Sequence, residues 1–247
     1  MNVKRAAIGG WFVCVLSVTT LAASASLSGV RHAPPTCLAE GFSTASGNGV
    51  IARVGGFSSS VLLSPDGTHW ACQNSGTISS LYSIAFGNGR FVAVGNEGVV
   101  VTSADGVAWK IINSGTEERL RSIVFAKQMF VGVGYNGTII TSRDGLAWKT
   151  RDSGTDDRLH GVAFGNQRFL AVSKNGQIIS SASGKKWNRL TVLAGIFTAI
   201  SHEQGTFSAK TGEGRILTSV DGSTWKSLPE VPMIASTEGS APSAKVP

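Results

Sequence analysis

Charged and catalytic side chains are both scarce in this sequence. Asp, Glu, Lys and Arg make up 15% of its 247 residues, and there are four histidines, two tyrosines and three cysteines. His32, His69, His160 and His202 are scattered, and neither H-E-x-x-H nor C-x-x-C occurs, so no metal site is expected. The G-x-G segments at 47–49, 87–89 and 212–214 carry Ala52, Val92 and Leu217 where a phosphate cradle needs its third glycine. They read as turns, and no cofactor is expected. A G-x-S-x-G nucleophile elbow is absent as well. The apolar stretch from Ala6 to Leu21 is broken by Gly9, Gly10, Ser17, Thr19 and Thr20, and is too short to span a membrane well. A hydrophobic content of 42% nevertheless excludes bulk disorder.

What the chain does contain is one short box, written five times. It reads Ser64-Pro-Asp-Gly-Thr-His-Trp70, Ser103-Ala-Asp-Gly-Val-Ala-Trp109, Ser142-Arg-Asp-Gly-Leu-Ala-Trp148, a worn Ser181-Ala-Ser-Gly-Lys-Lys-Trp187, and Ser219-Val-Asp-Gly-Ser-Thr-Trp225. The tryptophans step by 39, 39, 39 and 38 residues. A fixed period of this size marks a repeat architecture. Within one unit, Leu120–Phe125, Met129–Val133, Thr138–Thr141 and Ala147–Thr150 are β-rich runs, separated by Asn136-Gly137 and Asp144-Gly145 among other turns. Four strands in about 40 residues make a propeller blade. The expected fold is therefore all-β, a single β-propeller over residues 41–235 with five four-stranded blades and buried box tryptophans. Only the first unit is degraded, with Ala52 and Ser59 where the others have Phe and Gly. A C-terminal strand, Val231–Ala235, is expected to close the ring, and 236–247 to be a disordered tail.

Lys4 and Arg5, the apolar run and Ala23-Ser24-Ala25 have the three-part layout of a signal peptide over residues 1–25. Residues 26–40, with Pro34-Pro35 and no apolar periodicity, read as a linker. The expected location is periplasmic or secreted, with no transmembrane segment in the mature chain. Loss of Lys4 and Arg5 takes the formal charge from +7 to +5, too mild to call for nucleic acid. Export leaves Cys37 and Cys72 in an oxidising compartment, where a disulfide between them is the expected state.

The Ser-x-Asp-Gly-x-x-Trp boxes resemble the Asp-box repeat, also called the sialidase or bacterial neuraminidase repeat, in a variant with one residue fewer between Asp and Gly. Propellers that look like the photosystem II assembly-factor family carry similar D-G-x-x-W repeats. The resemblance implies a propeller and little about activity. A sialidase-like glycosidase would need a Tyr nucleophile and an arginine cluster. Here Tyr82 and Tyr135 are the only tyrosines, and the Arg-Ile-Pro segment of that family is missing. The expected function is a non-catalytic, monomeric, exported propeller that binds a protein or an anionic glycan at the cell envelope. An assembly or stability factor for a membrane complex and a sialidase-like hydrolase are the alternatives.

Two groups of residues are candidates for binding. No acid lies between Asp157 and Glu203, whereas Arg168, Lys174, Lys185, Lys186 and Arg189 all do, so the fourth blade reads as an anion patch. In the innermost strands, a slot between conserved apolar positions of the repeat reads Ser43, Tyr82, Arg121, His160 and Thr198. With Arg119 and Arg158 just before it, this slot is expected to form a cationic cup for a carboxylate or sulfate at one mouth of the channel. The covalent expectations are checked by intact mass: a mature chain starting near Ser26, and no alkylatable thiol before reduction. Two free thiols would remove the Cys37–Cys72 bond.

Overall fold

The computed structural model describes residues 42–55 and 58–227, all within one compact unit spanning 34–247. The signal segment, the linker with Cys37, the closing strand expected at 231–235 and the tail lie outside the described residues. The strands of that unit form five four-stranded antiparallel sheets, each built from strands consecutive in the chain. Blade 1 is β1 (Phe42–Gly47), β2 (Val50–Gly55), β3 (Val61–Ser64) and β4 (Ala71–Gln73). Blade 2 is β5 (Leu81–Gly87), β6 (Arg90–Gly95), β7 (Val100–Ser103) and β8 (Lys110–Ile112). Blade 3 is β9 (Leu120–Ala126), β10 (Met129–Gly134), β11 (Ile139–Ser142) and β12 (Lys149–Arg151). Blade 4 is β13 (Leu159–Gly165), β14 (Arg168–Ser173), β15 (Gln177–Ser181) and β16 (Asn188–Val192). Blade 5 is β17 (Phe197–Glu203), β18 (Thr206–Thr211), β19 (Ile216–Ser219) and β20 (Lys226–Ser227).

The first hairpin of every blade turns through a residue of positive φ: Asn48, Asn88, Lys127, Asn166 and Gln204, all between 46° and 48°. A two-residue hairpin turn requires this conformation, which asparagine tolerates best and which Lys127 and Gln204 also adopt here. Four of these side chains, Asn48, Asn88, Lys127 and Asn166, fasten the next blade. Asn48 donates to the carbonyls of Gly89 (3.2 Å) and Ala104 (2.7 Å), and Lys127 to those of Gln167 (3.0 Å) and Ala182 (3.2 Å).

Each box is a closed turn. In blade 2, Gly106 N–H donates to Ser103 Oγ (2.8 Å), and Ser103 Oγ donates to Asp105 Oδ1 (2.9 Å). Asp105 Oδ1 also accepts from Val107 and Ala108 N–H (2.8 and 2.9 Å), and Trp109 Nε1 donates to the Gly106 carbonyl (2.7 Å). These bonds hold the Asp105 carboxyl down to about 2, Ala108 N–H first; Thr224 and Ser223 N–H do the same for Asp221. The aspartates are fully engaged in holding their turns.

Successive blades adhere through four apolar clusters, each drawn from two neighbouring sheets. In each cluster a fully buried Phe of the second strand (Phe91, Phe130, Phe169, Phe207) meets an aromatic ring of the innermost strand. The ring centroids are 4.7 Å apart for Phe86–Phe91, 4.6 Å for Phe125–Phe130, 4.7 Å for Phe164–Phe169 and 4.6 Å for His202–Phe207. The box tryptophan adds a third ring in the first three junctions, 6.4 Å from Phe91, 6.3 Å from Phe130 and 6.4 Å from Phe169. Trp187 is 8% exposed, but Trp70, Trp109, Trp148 and Trp225 are only half-buried. The expectation of uniformly buried tryptophans is corrected here: they sit beside the outermost strand, beyond which no further sheet covers them.

Blade 1 also differs from its expected register. Gly47 pairs with Val50, as Gly87 pairs with Arg90, so Ile51 takes the place of Phe91 and Ala52 that of Val92. The end faces of the array change character. Blade 1 has exposed Thr44 and Ser46 where blade 2 has Ile84 and Phe86, and blade 5 has Ser208 and exposed Lys210 where blade 4 has Leu170 and Val172. Polar outer faces are what the terminal units of a repeat array require.

Two outcomes test this packing. Phe130→Ala, at a fully buried position, is expected to lose about 3–5 kcal/mol, and Trp109→Ala distinctly less; equal losses in denaturant melts would contradict the half-buried placement. The depressed carboxyls contribute stability that is present above their unfolded value of about 3.9 and lost as pH falls through about 2. Melting temperature measured from pH 4 to 2 is therefore expected to fall less steeply in Asp105→Asn/Asp221→Asn than in the parent.

Candidate functional site

The innermost strands of blades 2 to 5 each carry a β-bulge near their start. The ladder skips from Leu81 to Ser83, from Leu120 to Ser122, from Leu159 to Gly161 and from Phe197 to Ala199. The residues skipped are Tyr82, Arg121, His160 and Thr198. A bulge residue leaves the pleat and re-aims its side chain, so this slot is free of the packing that fixes its neighbours. In blade 1 the ladder runs unbroken and Ser43 pairs with Val54. Ser43 is therefore not the slot residue of its blade. Its hydroxyl accepts from Ile84 N–H (3.0 Å), just as Ser83 accepts from Ile123 N–H (3.2 Å) and Ser122 from Val162 N–H (3.2 Å). It belongs to the adhesion between blades.

The loops just before these strands are pinned to the ends of the second strands. Tyr135 N–H donates to the Arg119 carbonyl (2.9 Å), and Lys174 N–H to that of Arg158 (2.7 Å). This brings the slot and loop residues into one cluster of alternating cations and rings. The Arg121 guanidinium lies 4.8 Å from the Tyr82 ring centre, and that of Arg158 lies 4.7 Å from Tyr135. Arg119 reaches both rings, 5.7 Å from Tyr82 and 5.1 Å from Tyr135. The His160 ring stacks on Tyr135 at 6.4 Å with an 18° tilt. Arg119 is further fixed by donation from Nε to Asn96 Oδ1 (2.8 Å) and from Nη1 to the Tyr135 hydroxyl (3.4 Å).

The electrostatics of the cluster favour an anion. Among the described residues, none of the three arginines forms an ion pair, and Arg121 Nε is buried without a hydrogen-bond partner. Burial lowers the His160 pKa, and the charges of Arg121, Lys174 and Arg158 lower it further, while a backbone bond to Phe197 opposes them. His160 is thus neutral at neutral pH. Of the acids beside the cluster, Asp157 accepts from Asn175 and Ser173 and Glu118 from Asn136, while Asp156 lines the adjoining pocket with Arg158. A shallow pocket of about 290 Å³ beside the cluster is lined by Asn136, Asp156, Asp157, Arg158, Lys174 and Asn175. Neither tyrosine hydroxyl bonds a carboxylate among the described residues, whereas both rings face arginines.

All five residues expected at the mouth (Tyr82, Arg119, Arg121, Arg158 and His160) come together. The fourth-blade patch does not. Arg168 and Lys174 stand at opposite ends of β14, about 20 Å apart for a strand of that length, and Lys174 joins the mouth. With the Gln177 amide oriented to donate to Thr155 Oγ1, its oxygen accepts two bonds from Arg189, at 2.7 and 3.0 Å. Lys185 and Lys186 are exposed in the box turn, where Lys185 lines a groove with Arg143, Lys149 and Arg151. Cys72, the sole cysteine among the described residues, is disulfide-bonded, so its partner lies outside them.

Two features escaped the sequence reading. Tyr135 follows the second strand at the place held by Asn96 in blade 2 and Lys174 in blade 4, a second variable position at the same mouth. Its variability was the available signal. Gly132-Val-Gly134-Tyr-Asn-Gly137 spells a complete G-x-G-x-x-G, yet it runs from β10 into a hairpin turn with no helix after it. Gly137 has φ +62°, and a Cβ there would collide with the Thr155 carbonyl, so the glycine answers to blade geometry.

Neither a family model nor a curated protein matches the chain. No helix among the described residues is long and apolar enough to cross a membrane. Among solved structures, a chain of the nidogen/laminin complex is similar at 14% identity, covering 74% of this chain and 77% of that one, with a TM-score of 0.60. YCF48 bound to a D1 peptide is similar at 21% identity over 78% and 67% of the two chains, with a TM-score of 0.57. YCF48 from Cyanidioschyzon merolae gives 14% identity, 72% and 68% coverage, and a TM-score of 0.55. At these identities the likeness carries the fold alone, and that fold is a β-propeller.

Proposed function

We propose that this chain is an exported, non-catalytic binding propeller whose mouth cluster takes an acidic segment of a protein partner. One observation carries the reading. Three arginines without ion pairs among the described residues are held against two tyrosines and a neutral histidine at bulge and loop positions that the fold does not otherwise use. Guanidinium groups held in this way are pre-organised for carboxylate or sulfate oxygens, and the flanking rings supply apolar contact. An anionic glycan meets the same charges, but the aromatic flanks suit a peptide equally, and solved neighbours include YCF48 with a D1 peptide and nidogen with laminin. The YCF48 likeness supports the narrower reading of an assembly factor, in which the acidic segment belongs to a membrane complex. The signal layout of residues 1–25 supports a site at the cell envelope, and the chain is taken to act as a monomer.

The test uses a fluorescent hexaglutamate peptide first, then whatever a pull-down from envelope extract captures. Arg121→Ala/His160→Ala, with its fold confirmed by melting, is expected to weaken peptide binding by about tenfold or more, the size of two lost charge-assisted contacts. Unchanged binding by the folded double variant would rule out this mouth. The pH dependence is a separate check. The His160 pKa is lowered in the free protein, so its protonation adds a cation only as pH falls below its ordinary value of about 6.5. Affinity for the peptide is expected to rise through that range in the parent and to stay flatter in His160→Ala.

A further inference from the structure

A second basic site lies at the opposite end of the blades, on the seam between blades 3 and 4. A groove of about 330 Å³ is lined there by Met129, Thr141, Arg143, Lys149, Arg151 and Lys185, the last supplied by the box turn of blade 4. Met129 opens β10 and the mouth lies beyond its far end, about 20 Å away for six extended residues.

The repeat supplies an internal control for this seam. Blades 2 and 3 meet through the same box turns and the same aromatic trio, with Asn88 as the hairpin side chain where the seam of blades 3 and 4 has Lys127. At that neighbouring seam the residues equivalent to Met129, Arg143, Lys149, Arg151 and Lys185 are Arg90, Ala104, Lys110, Ile112 and Leu146, which leaves two cations against four. Three of the four cations are thus added where the fold is served by Ala, Ile and Leu. Like charges placed together oppose folding, so the additions answer to something other than packing.

Within the groove, Arg151 Nε donates to Thr141 Oγ1 (2.9 Å), which fixes the guanidinium and leaves its outer edge for a ligand. None of the four cations forms an ion pair among the described residues. The acid present, Asp144, stays ionised because Leu146 and Ala147 N–H and Ser142 Oγ engage one carboxylate oxygen, and it offsets one cation of four.

We propose that this seam binds a tetrahedral oxyanion, a sulfate or phosphate, through Arg143, Arg151, Lys149 and Lys185. Two arginine forks and two ammonium groups match the several oxygens and double charge of such a group better than a single carboxylate. The group can be free in solution or carried on a sulfated sugar chain, and the two arms of the test separate these sources.

The variant is Arg143→Ala/Arg151→Ile/Lys185→Leu, which installs the residues of the neighbouring seam and so preserves what the fold requires. Calorimetric titration with a heparin-derived hexasaccharide and, separately, with inorganic sulfate at matched ionic strength reads the site. At least a tenfold loss for either probe in the variant is expected, with Lys110→Ala unaffected. Loss for the hexasaccharide alone assigns a polymer-borne group, and loss for sulfate assigns the free ion. The converse graft, Ala104→Arg/Ile112→Arg/Leu146→Lys, is expected to raise the parent's stoichiometry by about one. Undiminished binding by the triple variant, or equal weakening by Lys110→Ala, would overturn the assignment by showing diffuse charge attraction.

Discussion

Everything in this fold depends on how sheets that share no hydrogen-bond ladder are made to adhere. Neighbouring innermost strands lie side by side but belong to separate sheets. Adhesion is left to side chains, and the repeat supplies them in fixed places. A serine hydroxyl on one innermost strand accepts from the backbone of the next. A ring on the next strand lies over a glycine: Phe86 over Gly47 and Phe125 over Gly87, where any Cβ would clash with it. The hairpin residue then reaches the box of the following blade. The 39-residue period records these contacts, because each must recur wherever a sheet meets a sheet.

That periodicity explains how much of the fold could be read in advance. Tryptophan spacing and the Asp-Gly turns identified the blades, their order and the structural use of the box aspartates. The reading failed where one unit departs from the others. Blade 1 has no bulge and no Phe on β2, so the repeat pattern is one residue out of step there and Ser43 is the adhesion serine, not a slot residue. Burial of the tryptophans failed for another reason, since solvent access at the outer edge depends on what lies beyond the sheet and leaves no mark in a repeat.

The candidate sites show the same division. Residues at equivalent places of different blades, such as Tyr82, Arg121 and His160, could be brought together from sequence alone, because the repeat says that they share a mouth. Residues close in the chain could not be grouped in that way. Arg168, Lys174, Lys185 and Arg189 lie within one blade, yet strand direction sends them to opposite ends and one is engaged by Gln177. The seam groove draws on two units at inequivalent positions, Arg151 from an outer strand and Lys185 from a turn. Only the packing of one blade on the next makes them neighbours.

The quality of the junctions also decides where binding groups can be held. Between blades 2, 3 and 4 the serine contacts and three-ring stacks are all in place, with Ala126 ending β9 where β1 and β5 end in glycine. Between blades 4 and 5 they thin out. Gly161 stands where a serine would bond, and His202 replaces the phenylalanine, with its Nε2 buried and without a partner. Local opening is drawn from the regions with fewest buried contacts, so blade 5 is the part of the array expected to loosen first. Tyr82, Arg119, Arg121, Tyr135, Arg158 and His160 all come from blades 2 to 4 or the loops between them, and the seam groove from blades 3 and 4. Both sites therefore stand on junctions that keep their serine and three-ring contacts, as binding groups that must keep their geometry require, while blades 1 and 5 present polar faces at the ends of the array.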